Sequence, residues 1–557
     1  MKWSALIPKS FRRRGVLLLS AVIVRGVLNF IGLAALLPVL VLVADPGRMA
    51  SNPWLGALYR AGGFSSEAVF AWCVCGTVVG IIVLKGVLNI AITRFQTRYM
   101  FSLYRHYSET LFRNYYRRGL LFFKSKSPSR LAYEVNGVSL VFVQRVLTPA
   151  AMLFSDAVLV LLVSVALLAY HAVASLLLAV VFLPVVWGWF RLQQGKLQEM
   201  GKEENDVRRR QSRLVLEAFR GYPEIEIGDA FAPLVARFDE GVGQIAEFRR
   251  RTEMMQQAPA FVAELCVVLA LVVLVALRAD AVLFGVFALA ALRLLPTVRG
   301  MIYRWITLRS SLYTVDVIRD ACEMESAPEE DPTDRLPFDR EIVAEKLSFA
   351  FEDGKPVLKD FDLTIRKGER VGIKGSSGAG KSTLFNLLLG FYPPQKGSIR
   401  IDGVPLTMEN RRAWQRNVGY VPQEVFLTDG TIAENVALAG EPDRERVVEA
   451  LKAASLAGFV ASLPAGIDTR VGEGGCRLSG GQRQRIGIAR ALYKGADVLF
   501  FDEATSSLDS KTESEINEAL QLLSEQRADL TLVVISHRES TLAYCDRIVE
   551  LTTENGL

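Results

Sequence analysis

The chain runs to 557 residues, enough for several domains, and 51% of them are hydrophobic, with a mean hydropathy of +0.26 that exceeds what a wholly soluble protein carries. The formal charge of +6, from 65 basic against 59 acidic residues, is gathered beside apolar segments, which points to a membrane surface and away from nucleic acid as a partner. The six cysteines, Cys73, Cys75, Cys266, Cys322, Cys476 and Cys545, have neither metal-ligand spacing nor the pattern of a disulfide framework; Cys73 and Cys75, inside an apolar run, are expected to be small buried residues.

The chain opens with Lys2, Lys9, Arg12, Arg13 and Arg14 and no acid before an apolar run from Gly15 to Val43. A signal peptide begins the same way, but its apolar core is only ~7–15 residues long, so this longer run reads as a retained spanning helix. Five more candidates follow, Ala68 to Thr93, Leu147 to Tyr170, His171 to Phe190, Ala258 to Leu277 and Ala281 to Ile302, each close to or beyond the ~20 residues that a bilayer crossing needs. The loops at 94–146 and 191–257 are rich in arginine, whereas the loop after the first run offers only Arg48 and Arg60 and the one after the fifth only Arg278. Basic loops stay in the cytoplasm, so both termini are expected there. The two basic loops have few Pro/Gly breaks, which predicts helices that continue into the cytoplasm and turn back near Leu121 to Asn136 and Glu217 to Phe238, where a soluble domain can dock. In the first outer loop, Trp54, Leu55, Leu58 and Tyr59 fall on one helical face, so a short interfacial helix and an ordinary loop are both open readings.

Charges inside spans are costly and tend to be functional. Arg25 and Lys85 begin matching strings, Arg25-Gly26-Val27-Leu28-Asn29 and Lys85-Gly86-Val87-Leu88-Asn89, and with Arg293 they fall in the cytoplasmic half of the bilayer. They form a ring for an anionic headgroup, are neutralised by Asp156 and Glu264, or snorkel to the interface on their long side chains.

The sequence predicts a multi-domain chain: an all-α six-helix membrane domain over 1–325, a Pro- and acid-bearing linker over 326–339, and an α/β domain over 340–557. In the last, Val371-Gly372-Ile373-Lys374 runs into Gly375, Ser376, Ser377, Gly378, Ala379, Gly380, Lys381, Ser382 and Thr383, and then an apolar helix. Glycines in this pattern let backbone N–H groups and a helix N-terminus converge on phosphate, with Lys381 on the β- and γ-phosphates and Ser382 on a magnesium ion. Phe351, ending an alternating strand of Val343, Glu345, Leu347 and Phe349, is placed to stack on a nucleotide base, although a core aromatic reads the same way. Gln423 follows a strand and can touch magnesium and water. Ser479, Gly480, Gly481 and Gln482 open a helix, another phosphate-ready N-terminus. The apolar run Val498-Leu499-Phe500-Phe501 reads as a strand buried on both faces and ends in Asp502 and Glu503, one to hold magnesium through water and one to act as general base. Ser506-Ser507-Leu508-Asp509 follows on a turn. His537, ending the strand Leu532 to Ser536, is placed to contact the γ-phosphate.

These residues resemble the ATP-binding cassette family. Gly375 to Thr383, Gln423, Leu478 to Gln482, Phe501 to Glu503, Asp509 and His537 look like its Walker A, Q-loop, signature, Walker B, D-loop and H-loop, and Thr469-Arg470-Val471-Gly472-Glu473 like its X-loop. With six spans ahead of them, the whole chain resembles a half-transporter of the exporter type. The resemblance implies ATP and Mg2+ as ligands and a homodimer in the inner (plasma) membrane. In it the signature motif of each copy faces the other's Walker A, so Ser479 and Gly481 act across the interface. Phe351 stands where the family more often has Tyr, and the chain closes soon after Arg547 to Leu551, so no C-terminal regulatory domain is expected. Residues 214–227, Arg293-Leu294-Leu295-Pro296 and the outer-loop aromatics look most like the lipid-linked oligosaccharide flippase branch. The resemblance therefore implies a lipid or other amphipathic cargo, with Arg25, Lys85 and Arg293 meeting its phosphates. An exporter of peptides or hydrophobic small molecules is the alternative, with an ATP-gated channel behind it.

Overall fold

The computed structural model describes residues 7–44, 59–64, 66–276, 281–322, 334–351, 356–503 and 510–551. It divides into two compact units, Met1–Ser326 and Ala327–Leu557. The expected outer-loop helix at Asn52 to Arg60 falls mostly outside the described residues, as do the first part of the linker and Ser506 to Asp509.

The first unit is helical throughout. Its long helices are α1 (Lys9–Ala34), α2 (Glu67–Arg117), α3 (Thr148–Tyr170), α4 (Ala172–Arg220), α5 (Phe231–Ala276) and α6 (Ala281–Ser310). Among the described residues, five helical stretches are long and apolar enough to cross a membrane: Lys9–Val41, Ala68–Arg117, Pro128–Tyr170, Phe231–Val273 and Val282–Ser310. The remaining expected span, His171 to Phe190, is the start of α4, where most side chains lie outside the description. At 51, 49 and 46 residues, α2, α4 and α5 are about twice the length a ~30 Å hydrocarbon layer needs. The turn after α2 holds the short helix Gly119–Ser125 and leads into Pro128–Tyr133 at the start of the third stretch, and the turn after α4 holds Tyr222–Ile227.

Two π-helical turns, Glu134–Val138 and Val143–Leu147, flank Ser139–Phe142. Glu134 there is 5% exposed. It is satisfied from three elements, by Tyr115 OH at 2.6 Å, Arg130 Nε at 2.8 Å and Arg209 at 3.2 Å. A buried carboxylate needs such donors to remain inside. Around it Leu103, Tyr107, Leu111, Phe142, Val146 and Ile318 form an apolar core.

Helices α1 and α2 meet through a polar seam. Arg25 donates to Gln96 Oε1 at 3.3 Å and Asn89 to Asn29 Oδ1 at 3.2 Å. A Cβ on Gly32 would lie 2.6 Å from Lys85 Cδ, so glycine lets the lysine side chain lie against the α1 backbone, and a larger residue would push it aside. Positions 25, 29 and 32 follow helical spacing, and 96, 89 and 85 descend to meet them, as an antiparallel pair requires. Cys73 is exposed and Cys75 half-buried, which corrects the buried reading: this end of α2 turns Cys73 away from its neighbours and covers Cys75 only in part.

In the second unit an antiparallel sheet, order β2-β1-β4-β5, holds β1 (Glu341–Ala350), β2 (Pro356–Arg366), β4 (Lys396–Ile401) and β5 (Val404–Pro405). The expected alternation of Val343, Glu345, Leu347 and Phe349 on one face fails. Ile342 and Ala344 are buried, then Leu347 and Phe349, because Lys346 takes φ +48° and the register with β2 slips between Ala344 and Leu347. The extra residue of this bulge moves the strand's buried set to the other parity. Asp402 and Gly403, at φ +48° and +84°, make the two-residue hairpin turn between β4 and β5. Asp402 also accepts from the backbone N–H groups of Asp339, Arg340 and Glu341, which ties the start of the domain to this turn.

The second sheet, order β6-β7-β8-β3-β9, is parallel in every pairing. It comprises β3 (Arg370–Gly375), β6 (Val418–Val421), β7 (Val498–Asp502), β8 (Thr531–Ile535) and β9 (Arg547–Leu551). All residues of β7 and β8 are buried, the pattern of strands covered on both faces. The helices α7 (Lys381–Leu388), α8 (Gly480–Tyr493) and α9 (Ser510–Gln526) belong to this unit. Phe385 of α7 meets Phe500 edge-on at 5.1 Å, and Trp414, fully buried, donates to Leu388 O at 2.8 Å.

Candidate functional site: a nucleotide cleft at the sheet edge

Four neighbouring parallel strands deliver their C-terminal ends to one edge of the sheet, the place where open α/β sheets bind ligands. β3 leads to Gly375, β6 to Gln423, β7 to Asp502 and Glu503, and β8 to His537. That is why residues as far apart in sequence as Gly375 and His537 meet.

The loop between β3 and α7 is shaped by glycines. Gly378 and Gly380 have φ +85° and +92°, which side chains adopt only at a cost. A Cβ on Gly380 would meet Val357 Cγ1 at 2.9 Å, whereas one on Gly378 would meet nothing within 4 Å. Gly380 is thus fixed by packing, and Gly378 faces open space. Lys381, 6% exposed, donates at 3.0 Å to the carbonyls of Gly375 and Ser376.

Its Nζ also lies 2.9 Å from His537 Nε2, and Glu503 Oε1 is 3.1 Å from the same nitrogen. The imidazole accepts from Lys381 in one tautomer and donates to Glu503 in the other. Gln423 Nε2 donates to Glu503 Oε2 at 3.3 Å. Ser382 Oγ and Tyr420 OH each approach Asp502 at 3.4 Å. Burial pushes the Asp502 carboxyl up from its ordinary value, the Glu503 charge adds to this, and Ser382, Tyr420 and Lys381 work against it. The Tyr420 phenol is raised as well, by burial and then by Asp502. Glu503 takes φ +48°, a left-handed conformation unusual for a residue with a side chain, and its N–H donates to Ile535 O at 3.0 Å. Strained backbone of this kind gathers at working sites.

Lys381, Ser382, Gln423, Asp502, Glu503 and His537 therefore form one cluster. Ser479 stands apart from it as the N-cap of α8: its Oγ accepts from Gln482 N at 3.2 Å and Gln482 Oε1 accepts from Ser479 N at 2.9 Å. Gly480 and Gly481 are the first residues of that helix. Phe351 packs edge-on against Phe349 at 5.2 Å and Tyr392 at 6.1 Å. Tyr420 and Gln484 were not singled out from sequence. Gln484 is 4% exposed and donates to Pro422 O at 3.2 Å, linking α8 to the segment that carries Gln423.

In the helical unit, Asp156 pairs with Arg304 and Glu264 is exposed. The direct ion pair of Asp156 is with Arg304, but its charge also acts on Arg25 and Arg293, so the neutralising reading holds in part for those two. Arg293 Nε is buried without a hydrogen-bond partner.

A family model described as ABC transporter matches residues 358–506. The "ATP-dependent lipid A-core flippase" of Burkholderia pseudomallei is 33% identical over 388 residues, 67% of this chain but only 64% of that relative, just under two thirds of its length. The protein of the same name from Ralstonia nicotianae is 32% identical over 509 residues, 88% of this chain and 84% of the relative. The solved structure of a bacterial Atm1-family ABC exporter with ATP bound matches with a TM-score of 0.78 at 22% identity, over 97% of this chain and 93% of that one, a likeness of fold. With its apolar helices and its nucleotide cleft, the chain belongs to the ATP-binding cassette half-transporters of the exporter type, which are multi-pass membrane proteins.

Proposed function

We propose that the protein is an ATP-driven flippase that works as a homodimer in the inner (plasma) membrane, with both termini cytoplasmic, and carries a phosphorylated glycolipid from the inner to the outer leaflet. The observation that carries the reading is the cluster at the ends of β3, β6, β7 and β8. The Gly375 to Thr383 loop and the N-terminus of α7 hold the phosphates of ATP through backbone N–H groups. Lys381 exchanges its two carbonyl partners for phosphate oxygens. Ser382, Gln423 and Asp502 supply oxygens suited to Mg2+, which when bound offsets phosphate charge. Glu503 takes the proton of the attacking water, and His537 donates to the γ-phosphate as charge develops. Phe351 stacks on the adenine. Ser479 Oγ already accepts from Gln482, so its own proton remains to donate to the ATP held by the second copy, beside the N–H of Gly481. Closure of the paired cassettes on ATP and their release after hydrolysis shift the helical units between inward and outward openings.

The cargo reading is supported by the names of the relatives and by Arg25, Lys85 and Arg293, three cations within apolar helices, of which Arg25 and Arg293 share the charge of Asp156 with Arg304. Such charges suit phosphate and disfavour the alternative of a hydrophobic small-molecule or peptide exporter. Full-length protein in lipid vesicles tests the reading. Glu503→Gln should retain ATP binding, lose about 100-fold or more in hydrolysis and stop flipping of a phosphorylated glycolipid. Hydrolysis at the wild-type rate in that variant would sink the mechanism, and lipid that equilibrates without accumulating would point to a gated pore.

A further inference from the structure

His537 is half-exposed, with 47% of its side chain open, so its contacts with Lys381 and Glu503 depend on how its backbone is held. Upstream it is anchored by β8. Downstream the chain leaves the sheet for a short turn, Arg538 to Leu542, and all three side-chain donors of that turn converge on one carboxylate. Glu513 of α9 is 6% exposed. Its Oε1 accepts from Ser540 Oγ at 2.6 Å and Thr541 Oγ1 at 3.1 Å, and its Oε2 accepts from Arg538. Arg538 N donates in turn to Ser536 Oγ at 3.0 Å, so the residues on both sides of His537 belong to one network. A buried carboxylate is costly without donors, and here each donor comes from the segment that follows the histidine. The hydrogen bonds outweigh burial and keep the Glu513 carboxyl below its ordinary range, so it is charged while the enzyme turns over.

We propose that Glu513 is a positioning residue for ATP hydrolysis, clamping the 538–541 turn so that His537 is held against the reacting phosphate. The proposal rests on the reading of His537 given above. Its reach is to the chemical step and not to nucleotide affinity, because Glu513 touches neither the phosphate loop nor Asp502. It also couples α9, which follows the Glu503 strand in the chain, to the strand that ends in His537. Displacement of one is therefore felt at the other.

The test is a double-mutant cycle on full-length protein in lipid vesicles, with steady-state ATPase as readout. Glu513→Gln should lower kcat by about tenfold or more, leave KM for MgATP within about twofold, and add no more than about twofold to the loss caused by His537→Ala. A carboxylate with only a structural role would give losses that multiply. Ser540→Ala combined with Thr541→Val, which removes two donors from the opposite element, should reproduce the kcat loss should Glu513→Gln fold poorly. Wild-type kcat in Glu513→Gln, or multiplicative losses in the double variant, would overturn the clamp while leaving His537 in place. Full activity of His537→Ala would overturn both.

Discussion

Gly378 and Gly380 share a left-handed backbone but differ in what surrounds them, and alanine at each position separates stability from nucleotide binding. Alanine in the left-handed region costs about 1–2 kcal/mol wherever it stands. At Gly378 that is the whole cost to the fold, since the added methyl meets nothing within 4 Å. At Gly380 the methyl presses on Val357 Cγ1 at 2.9 Å and Val357 O at 3.0 Å, and overpacking of this kind adds about 1–3 kcal/mol. For a domain of this size about 1 kcal/mol moves Tm by roughly 2–4 °C. Gly378→Ala should thus lose about 2–8 °C and Gly380→Ala about 4–20 °C. Binding should rank differently. Gly378→Ala puts its methyl into the space assigned to phosphate and should lose nucleotide despite its milder unfolding, whereas Gly380→Ala should lose both. Thermal unfolding without nucleotide, followed by titration with a fluorescent ATP analogue, measures the pair. Equal Tm losses would refute the close approach of β2, and wild-type affinity in Gly378→Ala would refute the placement of phosphate.

Other outcomes follow from the same geometry. Burial works to raise the Asp402 carboxyl, but the N–H groups of Asp339, Glu341 and Arg340 bring it below the ordinary value. A depressed carboxyl contributes stability that is complete above its unfolded-state pKa and lost as pH falls through the native one. Asp402→Asn should therefore unfold about 1–2 kcal/mol more easily at neutral pH, with the gap closing in acid; a gap that widens on acidification would contradict the assignment. In the helical unit, Lys85→Met fits beside Gly32 and should fold, yet together with Arg25→Gln it should weaken stimulation of ATPase by a phosphorylated glycolipid about tenfold or more. Unchanged stimulation in reconstituted vesicles would remove both cations from the substrate path.

The parts of the molecule legible in sequence are those in which one local rule carries the structure. Apolar runs of bilayer length mark helices, and the uninterrupted apolar run before Asp502 and Glu503 marks a strand covered on both faces. The glycine spacing before Lys381 marks a tight strand-to-helix loop, and the left-handed backbone at Gly378 and Gly380 is what such spacing requires. What escaped depended on two segments meeting. Tyr420 reads as a strand aromatic until β6 is seen beside β7, which brings its hydroxyl to Asp502. Glu513 reads as a helix-surface acid until α9 is laid against the turn after β8. The bulge at Lys346 was hidden because a lysine offers no glycine or proline to mark it, so the alternation appeared to run through.

The seam between α1 and α2 limits how the helical unit can move. Arg25 with Gln96, Asn29 with Asn89, and Lys85 in the notch at Gly32 are rungs of one ladder. Sliding either helix by a turn would break all of them together and strand amides and a guanidinium in a medium without water to replace their partners. These two helices are therefore held as a single plank, and in the proposed transport cycle any hinge has to be found along its edges.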